Sequence, residues 1–360
     1  MSSADLSTMD AYQELRPLMF AIAYRMLGQV SEAEDIVQEA FLRYYRILPN
    51  GPGRDSGTGP ASGAGADTGA EPQSPRAYLA AITTRLCIDY CRSARARREA
   101  YVGRWLPEPL LTGPSAGLAP PLPAPVPAPD PADAAEQADS LSMAFLLVLE
   151  RLSPVERAVF LLHDVFSYGY DETARIVGRT QDNCRQLARR ARQHVSEHRT
   201  RYEASRGQRE ELARRFFAAI GDGDMDGLIS MLAADVTVYG DGGGMRYSWR
   251  RPIVGRDRVG RLLAGLRQRG RPTWAVLRPV EVNGQPGALF LDGDGALITV
   301  IALDIAEGQV QAVRSVINPD KLRHLGPLAD WEALVSQSPG GPPEQSARLA
   351  ADQRPPAGPR

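Results

Sequence analysis

The 360-residue sequence predicts a multidomain chain: two all-α blocks, the second with a helix-turn-helix, followed by an α+β block. Three observations predict it. Apolar residues recur at helical spacing through the first two blocks. Short Val-, Ile- and Leu-rich runs separated by turn pairs fill the second half. Stretches dominated by Pro, Gly, Ala and Ser punctuate the rest, and much of the surplus of 29 Pro and 34 Gly collects there. The boundaries read as a first block over 10–105 with a flexible insertion at 51–73. A Pro-rich linker follows over 106–140, a second block over 141–203, an α+β block over 207–326 and a disordered tail over 331–360.

The first block opens with Leu15, Leu18, Met19, Ile22, Ala23 and Met26, which share one helix face. Gly28 breaks this helix. Ser31 is the expected cap of a second helix, with Glu34 completing a capping box. Its apolar face is Ala33, Ile36, Val37, Ala40, Phe41 and Tyr44. A third helix starts after Ser74-Pro75 and runs through Tyr78, Leu79, Ile82, Leu86 and Tyr90. The linker from Leu106 to Ala135 holds ten prolines and is expected to be extended and semi-rigid. The second block is all helical from Leu141. The third starts with helices and continues as strands at Val236–Tyr239, Trp274–Val282, Ala288–Leu291, Ile298–Ile305 and Val310–Ile317, arranged as an antiparallel meander. Asn283-Gly284 and Asp292-Gly293 mark turns between them.

Charge and cysteine content exclude several classes. With 42 basic and 43 acidic residues the net charge is −1, which argues against a uniformly basic nucleic-acid coat. Of the basic residues, 41 are Arg and the one Lys is Lys321, a skew that reads as genomic composition. No apolar run approaches the ~20 residues that span a bilayer. Met1-Ser2-Ser3-Ala4-Asp5 lacks the basic start of a secretion signal. Cys87, Cys91 and Cys184 form an odd set without disulfide spacing, so a reducing cytoplasm is expected.

The most specific local signal spans Tyr170 to Val195. A helix from Asp171 to Val177 ends at Gly178, and a second starts at Gln181 after Arg179-Thr180. Small Ala174 permits close helix approach, and Cys184 and Leu187 pack the second helix across the first. The free face then carries Gln181, Asp182, Arg185, Gln186, Arg189 and Arg192. Arg suits guanine and phosphate, and Gln suits adenine. From Arg175 to Arg201 eight Arg face two acids, a local +6. A surface hairpin with a solvated basic face is the bland reading. His194-Val195-Ser196-Glu197-His198 matches a zinc-peptidase pattern, but a third ligand is not evident, so no metal is expected. Cys87 and Cys91 read as helix packing.

In the first block, Ser31 to Glu39 carries four acids and no base, and Asp35, Gln38, Glu39 and Leu42 lie together on the helix surface. Such a face suits a basic partner helix; a solvated face is the alternative. From Arg76 to Arg104 seven Arg outnumber two acids, with Tyr78, Tyr90, Tyr101 and Trp105 interleaved. Arg neutralises phosphate, and aromatic rings stack on unpaired bases. Tyr78 and Tyr90 are equally suited to the core.

These features together resemble the sigma-70 family of bacterial RNA polymerase subunits, in its extracytoplasmic-function (ECF) branch. Ala33-Glu34-Asp35-Ile36-Val37-Gln38-Glu39-Ala40-Phe41 resembles the region 2 helix that docks on the polymerase β′ clamp. The resemblance implies core contacts at Asp35, Gln38, Glu39 and Leu42. It implies reading and opening of the −10 element by Tyr78, Arg85, Arg92, Arg95, Arg97 and Arg98. Leu152-Ser153-Pro154-Val155-Glu156-Arg157 is similar to the start of region 4, whose helix-turn-helix would read the −35 element. Tyr101-Val102-Gly103-Arg104-Trp105-Leu106-Pro107-Glu108-Pro109-Leu110 is similar to a signature of ECF sigma factors with a C-terminal SnoaL-like domain, a cone-shaped α+β fold. Asp241-Gly242-Gly243-Gly244 and Asn318-Pro319-Asp320-Lys321-Leu322 resemble that domain's two motifs.

The resemblance implies core RNA polymerase (β′ clamp and β flap) and promoter DNA as partners. It also implies contacts of the C-terminal domain with the sigma domains, regulation in cis, and no catalysis or cofactor. A small ligand of unknown class is an open addition. Met245 stands where a Lys commonly follows the glycines, which puts that contact in doubt or moves it to Arg246. The 51–73 stretch is longer than the family pattern. Both C-terminal motifs also read as ordinary loop and helix-start chemistry. Two further readings remain: a ligand-controlled DNA-binding regulator, and a SnoaL-type cyclase or isomerase fused to a DNA-binding module. Asp235, Asp241, Asp257 and Asp304 are that enzyme's available acid-base groups.

Overall fold

Alternating helical and extended patterns resolve into two compact units in the structure, a computed structural model: residues 1–100 with 120–199, and residues 101–119 with 200–360. The described residues are 3–47, 74–99, 101–113, 139–198, 205–246, 248–249, 251–268 and 276–336. The 51–73 insertion, the linker over 114–138 and the tail beyond 336 lie outside them.

The first unit is helical. It contains α1 (Ser3–Leu27), α2 (Val30–Ile47), α3 (Pro75–Glu99), α4 (Met143–Glu150) and α5 (Pro154–Phe160). A π-helical turn (Leu161–Val165), α6 (Tyr170–Val177) and α7 (Gln181–His198) complete it. The two helical blocks, expected as separate domains, share this unit. The reason lies in α1. Every residue from Leu18 to Leu27 is buried, so a one-sided apolar stripe understates it. A helix that is apolar on all sides needs neighbours on all sides.

Two arginines complete that packing. Arg25 donates to Ser140 Oγ and lies over the Phe166 ring. Buried Arg157 donates to the carbonyls of Leu149 and Met26. The expected Ser31 cap is displaced: α2 begins at Val30, because Gly28 adopts a left-handed conformation and turns the chain at once. Glu34 instead accepts from Arg16 with both oxygens at 2.7 Å.

The second unit holds a seven-stranded sheet in the order β1-β4-β5-β6-β7-β2-β3. The strands are β1 (Leu111–Thr112), β2 (Leu232–Asp241), β3 (Ile253–Val254), β4 (Val276–Val282), β5 (Gln285–Leu291), β6 (Leu297–Ala306) and β7 (Gln309–Val316). β4 to β7 form the expected antiparallel meander. The sequence reading missed three things: β2 lies parallel to β7, and short β1 and β3 close the two edges. Register shifts at Phe290/Leu291 and Asp304/Ile305 curve the sheet.

One sheet face packs on α8 (Arg206–Asp222), α9 (Met225–Ser230) and α10 (Arg256–Gln268). Its core includes Phe216, Phe217, Val236, Val238, Phe290, Leu303 and Val310. Side chains alternate along a strand. Tyr239 and Asp241 therefore point to the opposite face, as do Asp304 and Arg314. Residues 331–336, expected to begin the disordered tail, form a short helix, α11 (Trp331–Ser336).

Candidate nucleic-acid interface

In the helix-turn-helix, α6 stops at Gly178, whose φ of +65° is the left-handed geometry that glycine adopts without strain. Thr180 then caps α7, its hydroxyl accepting from Asn183 N at 3.2 Å. Val159, Ala174, Cys184 and Ala188 form the seam between the helices, with Leu187 against it. Burial of Cys184, Ala188, Ala191 and Val195 turns the other face of α7 outward. Gln181, Asp182, Arg185, Gln186, Arg189 and Arg190 are exposed. Asp182 pairs with Arg185 at 2.7 Å.

Arg192 is exposed as well, but its guanidinium is paired. Its Nε donates to Asp164 at 2.6 Å and its terminal nitrogen to Tyr170 Oη at 3.1 Å. These bonds, the Asp164 contact first, hold its guanidinium more firmly protonated than usual.

The α3 residues divide. Tyr78 packs against Tyr44, ring centroids 6.1 Å apart, in the core position left open above. Tyr90 donates to Gln29 at 3.4 Å. Arg85 is exposed, and it donates to the carbonyls of Ile176 (3.1 Å) and Arg175 (3.2 Å) at the carboxyl end of α6. Arg92 pairs in solvent with Asp89. Arg95, Arg97 and Arg98 continue α3, but their side chains lie outside the described part. Tyr101 and Trp105, grouped with the base-stacking aromatics, sit in the C-terminal unit instead.

On α2, Asp35, Gln38 and Leu42 share one exposed face opposite the buried Ala33, Val37 and Ala40. Leu42 keeps 52% of its surface in solvent. Glu39 is bridged to Arg43 at 2.7 Å. Leu42 is thus held open among acid and amide groups.

The two C-terminal motifs meet at one buried carboxylate. Asp241 Oδ1 accepts from the Tyr101 hydroxyl and from Gly243 N. Its Oδ2 accepts from Leu106 N at 2.8 Å and from Lys321 Nζ at 2.7 Å. The Lys321 ammonium also donates to the Leu106 carbonyl and lies 4.8 Å from the Tyr101 ring centre and 4.4 Å from that of Trp105. Asn318 caps the turn that carries Lys321 and donates to Tyr101 at 2.8 Å. Burial first, and the Asp241 carboxylate next, push the Tyr101 phenol well above its ordinary range. Gly243 has a φ of +63°, and a Cβ there would sit 2.3 Å from Asn318 Nδ2.

The expected linker therefore begins as a strap on the sheet. Residues 101–112 run from the Asp241 node to β1, which pairs with β4, and His324 donates to the Pro109 carbonyl at 2.8 Å. Leu110 and Asn283 exchange two hydrogen bonds. Arg246 donates to the carbonyls of Ile298, Ile317 and Ala329 and stacks over Trp331, while Met245 is exposed. Asp304 is paired with Arg314 at 2.6 Å on the same sheet face as Asp241. Asp235 and Asp257 are exposed, so none of the four carboxylates faces the helix-covered interior. Among the described residues no cluster of potential metal ligands occurs, and no helix is long and apolar enough to cross a membrane.

A helix-turn-helix with an arginine-lined outward face, in a helical unit joined to an α+β unit, is the architecture of a modular DNA-binding protein. Family models for sigma-70 region 2 and sigma-70 region 4 match residues 11–55 and 142–195. The chain is 37% identical over 318 residues to the ECF RNA polymerase sigma factor SigJ of Mycobacterium tuberculosis, covering 86% of this chain and 91% of that protein. It is 33% identical over 315 residues to the probable ECF sigma factor SigI of that species, covering 88% and 94%. The crystal structure of M. tuberculosis SigJ superposes with a TM-score of 0.63 at 34% identity, over 89% of this chain and all of that one. The chain belongs to the ECF RNA polymerase sigma factors, with helical region 2 and region 4 followed by a C-terminal α+β unit.

Proposed function

We propose that this chain binds core RNA polymerase and directs promoter-specific initiation. Asp35, Gln38, Glu39 and Leu42 dock on the β′ clamp, and region 4 docks on the β flap. Arg85, Arg92, Arg95, Arg97 and Arg98 engage the −10 element, and α7 reads the −35 element in the cytoplasm, where the polymerase works. The observation that carries this reading is α7. It keeps Gln181, Arg185, Gln186 and Arg189 in solvent while Cys184, Ala188 and Ala191 are buried. Arg85 must first leave the Ile176 and Arg175 carbonyls, so promoter engagement opens the helical unit at α3 and α6.

The SnoaL-like unit is the regulator in cis. Supporting this, it takes hold of the chain at Tyr101, two residues after α3 ends at Glu99. A change in the unit thus reaches the promoter-opening helix by covalent continuity.

The test is in vitro transcription by core polymerase with the full chain on a genomic fragment library, with start sites sequenced. Discrete starts sharing −35 and −10 elements are expected. Asp35→Ala with Gln38→Ala should remove them by weakening core binding. Absence of specific starts with the intact chain overturns the proposal.

A further inference from the structure

His163, Asp164 and Tyr170, which the DNA-reading assignment leaves unused, meet beside α7. The π-helical turn widens the end of α5, and Phe166 N and Tyr168 N close it on the Leu161 and Leu162 carbonyls. Ser167 follows at a φ of +59°. This geometry points His163 and Asp164 at α6 and α7. His163 Nδ1 donates to the Tyr168 carbonyl at 2.8 Å, and its ring stacks on Tyr170 with centroids 3.8 Å apart. Tyr170 also lies 5.6 Å from the Arg185 guanidinium, and its hydroxyl accepts from Arg192. Asp164 accepts from Nε of the same Arg192. Arg185 and Arg192 are seven residues apart, so they lie on one face of α7 two turns from each other.

We infer that His163, Asp164 and Tyr170 are positioning residues for −35 recognition. The buried seam sets the rotation of α7; these residues brace its outward face through Arg192, and Tyr170 holds the Arg185 side chain for base contact. Arg192 is therefore a tether and not a base reader. Specificity falls to Gln181, Arg185, Gln186 and Arg189, toward the start of the helix. The inference rests on α7 reading the −35 element. Without the tether Tyr170 no longer holds Arg185 in one orientation, so its loss alters which bases are preferred as well as how tightly DNA is held.

The experiment uses the full chain with core polymerase on a promoter whose −35 hexamer is randomised. Asp164→Ala, Arg192→Ala and Tyr170→Leu should each change the preferred −35 bases and lower output about tenfold. The Asp164→Ala/Arg192→Ala pair should be no worse than either alone, because both break one link. Tyr170→Phe, which keeps the ring, should show a smaller change in preference. Asp164→Asn retains an acceptor and should partly rescue.

If Arg192 touches DNA itself, Arg192→Ala will weaken binding at all hexamers and lower the salt slope by ~1. Asp164→Ala, by freeing Arg192, will then strengthen binding. That divergence overturns the inference, as does an unchanged hexamer preference in folded Asp164→Ala. Arg185→Ala on the same library separates the two claims: an unchanged preference there removes the −35 reading itself, whatever the tether variants do.

Discussion

Lys321→Met is the sharpest probe of the C-terminal unit. Lys321 is 4% exposed and its Asp241 partner 0%, with 2.7 Å between the charges. Removing one member of a buried pair leaves the other charged and desolvated, which costs about 3–5 kcal/mol. Here Asp241 keeps three donors, from Tyr101, Leu106 and Gly243, so the low end applies. The Leu106 carbonyl also loses its ammonium donor. We expect a loss of about 3 kcal/mol. With a urea m-value of about 2 kcal/mol/M, the midpoint falls by roughly 1.5 M.

The assay is built into the sequence. All four tryptophans, Trp105, Trp249, Trp274 and Trp331, lie in the C-terminal unit, so intrinsic fluorescence of the full chain reports on it selectively. A midpoint shift below about 0.5 M with an unchanged m-value would refute the argument that this pair is desolvated and holds the strap.

Three further outcomes follow from the same structure. Gly243→Ala forces a left-handed alanine whose Cβ collides with Asn318, and should lower the fluorescence-reported stability by about 2 kcal/mol. Leu42→Ala should weaken core binding about fivefold, from roughly 1 kcal/mol of lost burial, and leave urea unfolding of the helical unit unchanged by circular dichroism. Burial holds the His324 imidazole below its ordinary value of 6.5, so the unfolded chain takes up that proton first. Its contribution is complete above that unfolded value and is lost as pH falls through the lower folded one. The C-terminal unit should weaken as pH drops below about 6.5, and His324→Gln should flatten that slope.

Much of the candidate site was legible because it depends on local spacing. The turn at Gly178, the Thr180 cap and the Cys184 and Ala188 seam are set within one helical hairpin, so the outward face of α7 follows from period 3.6. The same holds for Asp35, Gln38 and Leu42 on α2. Less was legible where partners are distant in sequence. Arg192 has the right residue type and spacing for DNA, and its pairing with Asp164, 28 residues earlier, is visible only in the structure. Tyr101 and Trp105 follow a basic helix and so suggested base stacking, yet they frame Lys321 more than 200 residues later.

By itself, the sequence determined the helical blocks, the outward face of α7, the exposed face of α2 and the order of the meander strands. Each rests on interactions within a few residues or on a repeating pattern of burial. Only the tertiary structure decided that the two helical blocks share one unit around α1. It alone decided that the supposed linker starts as a strap and that Asp241 joins both C-terminal motifs. The physical reason is the same in each case. A buried charge or an all-apolar helix must find partners, but its own neighbourhood in the chain does not say which distant groups supply them.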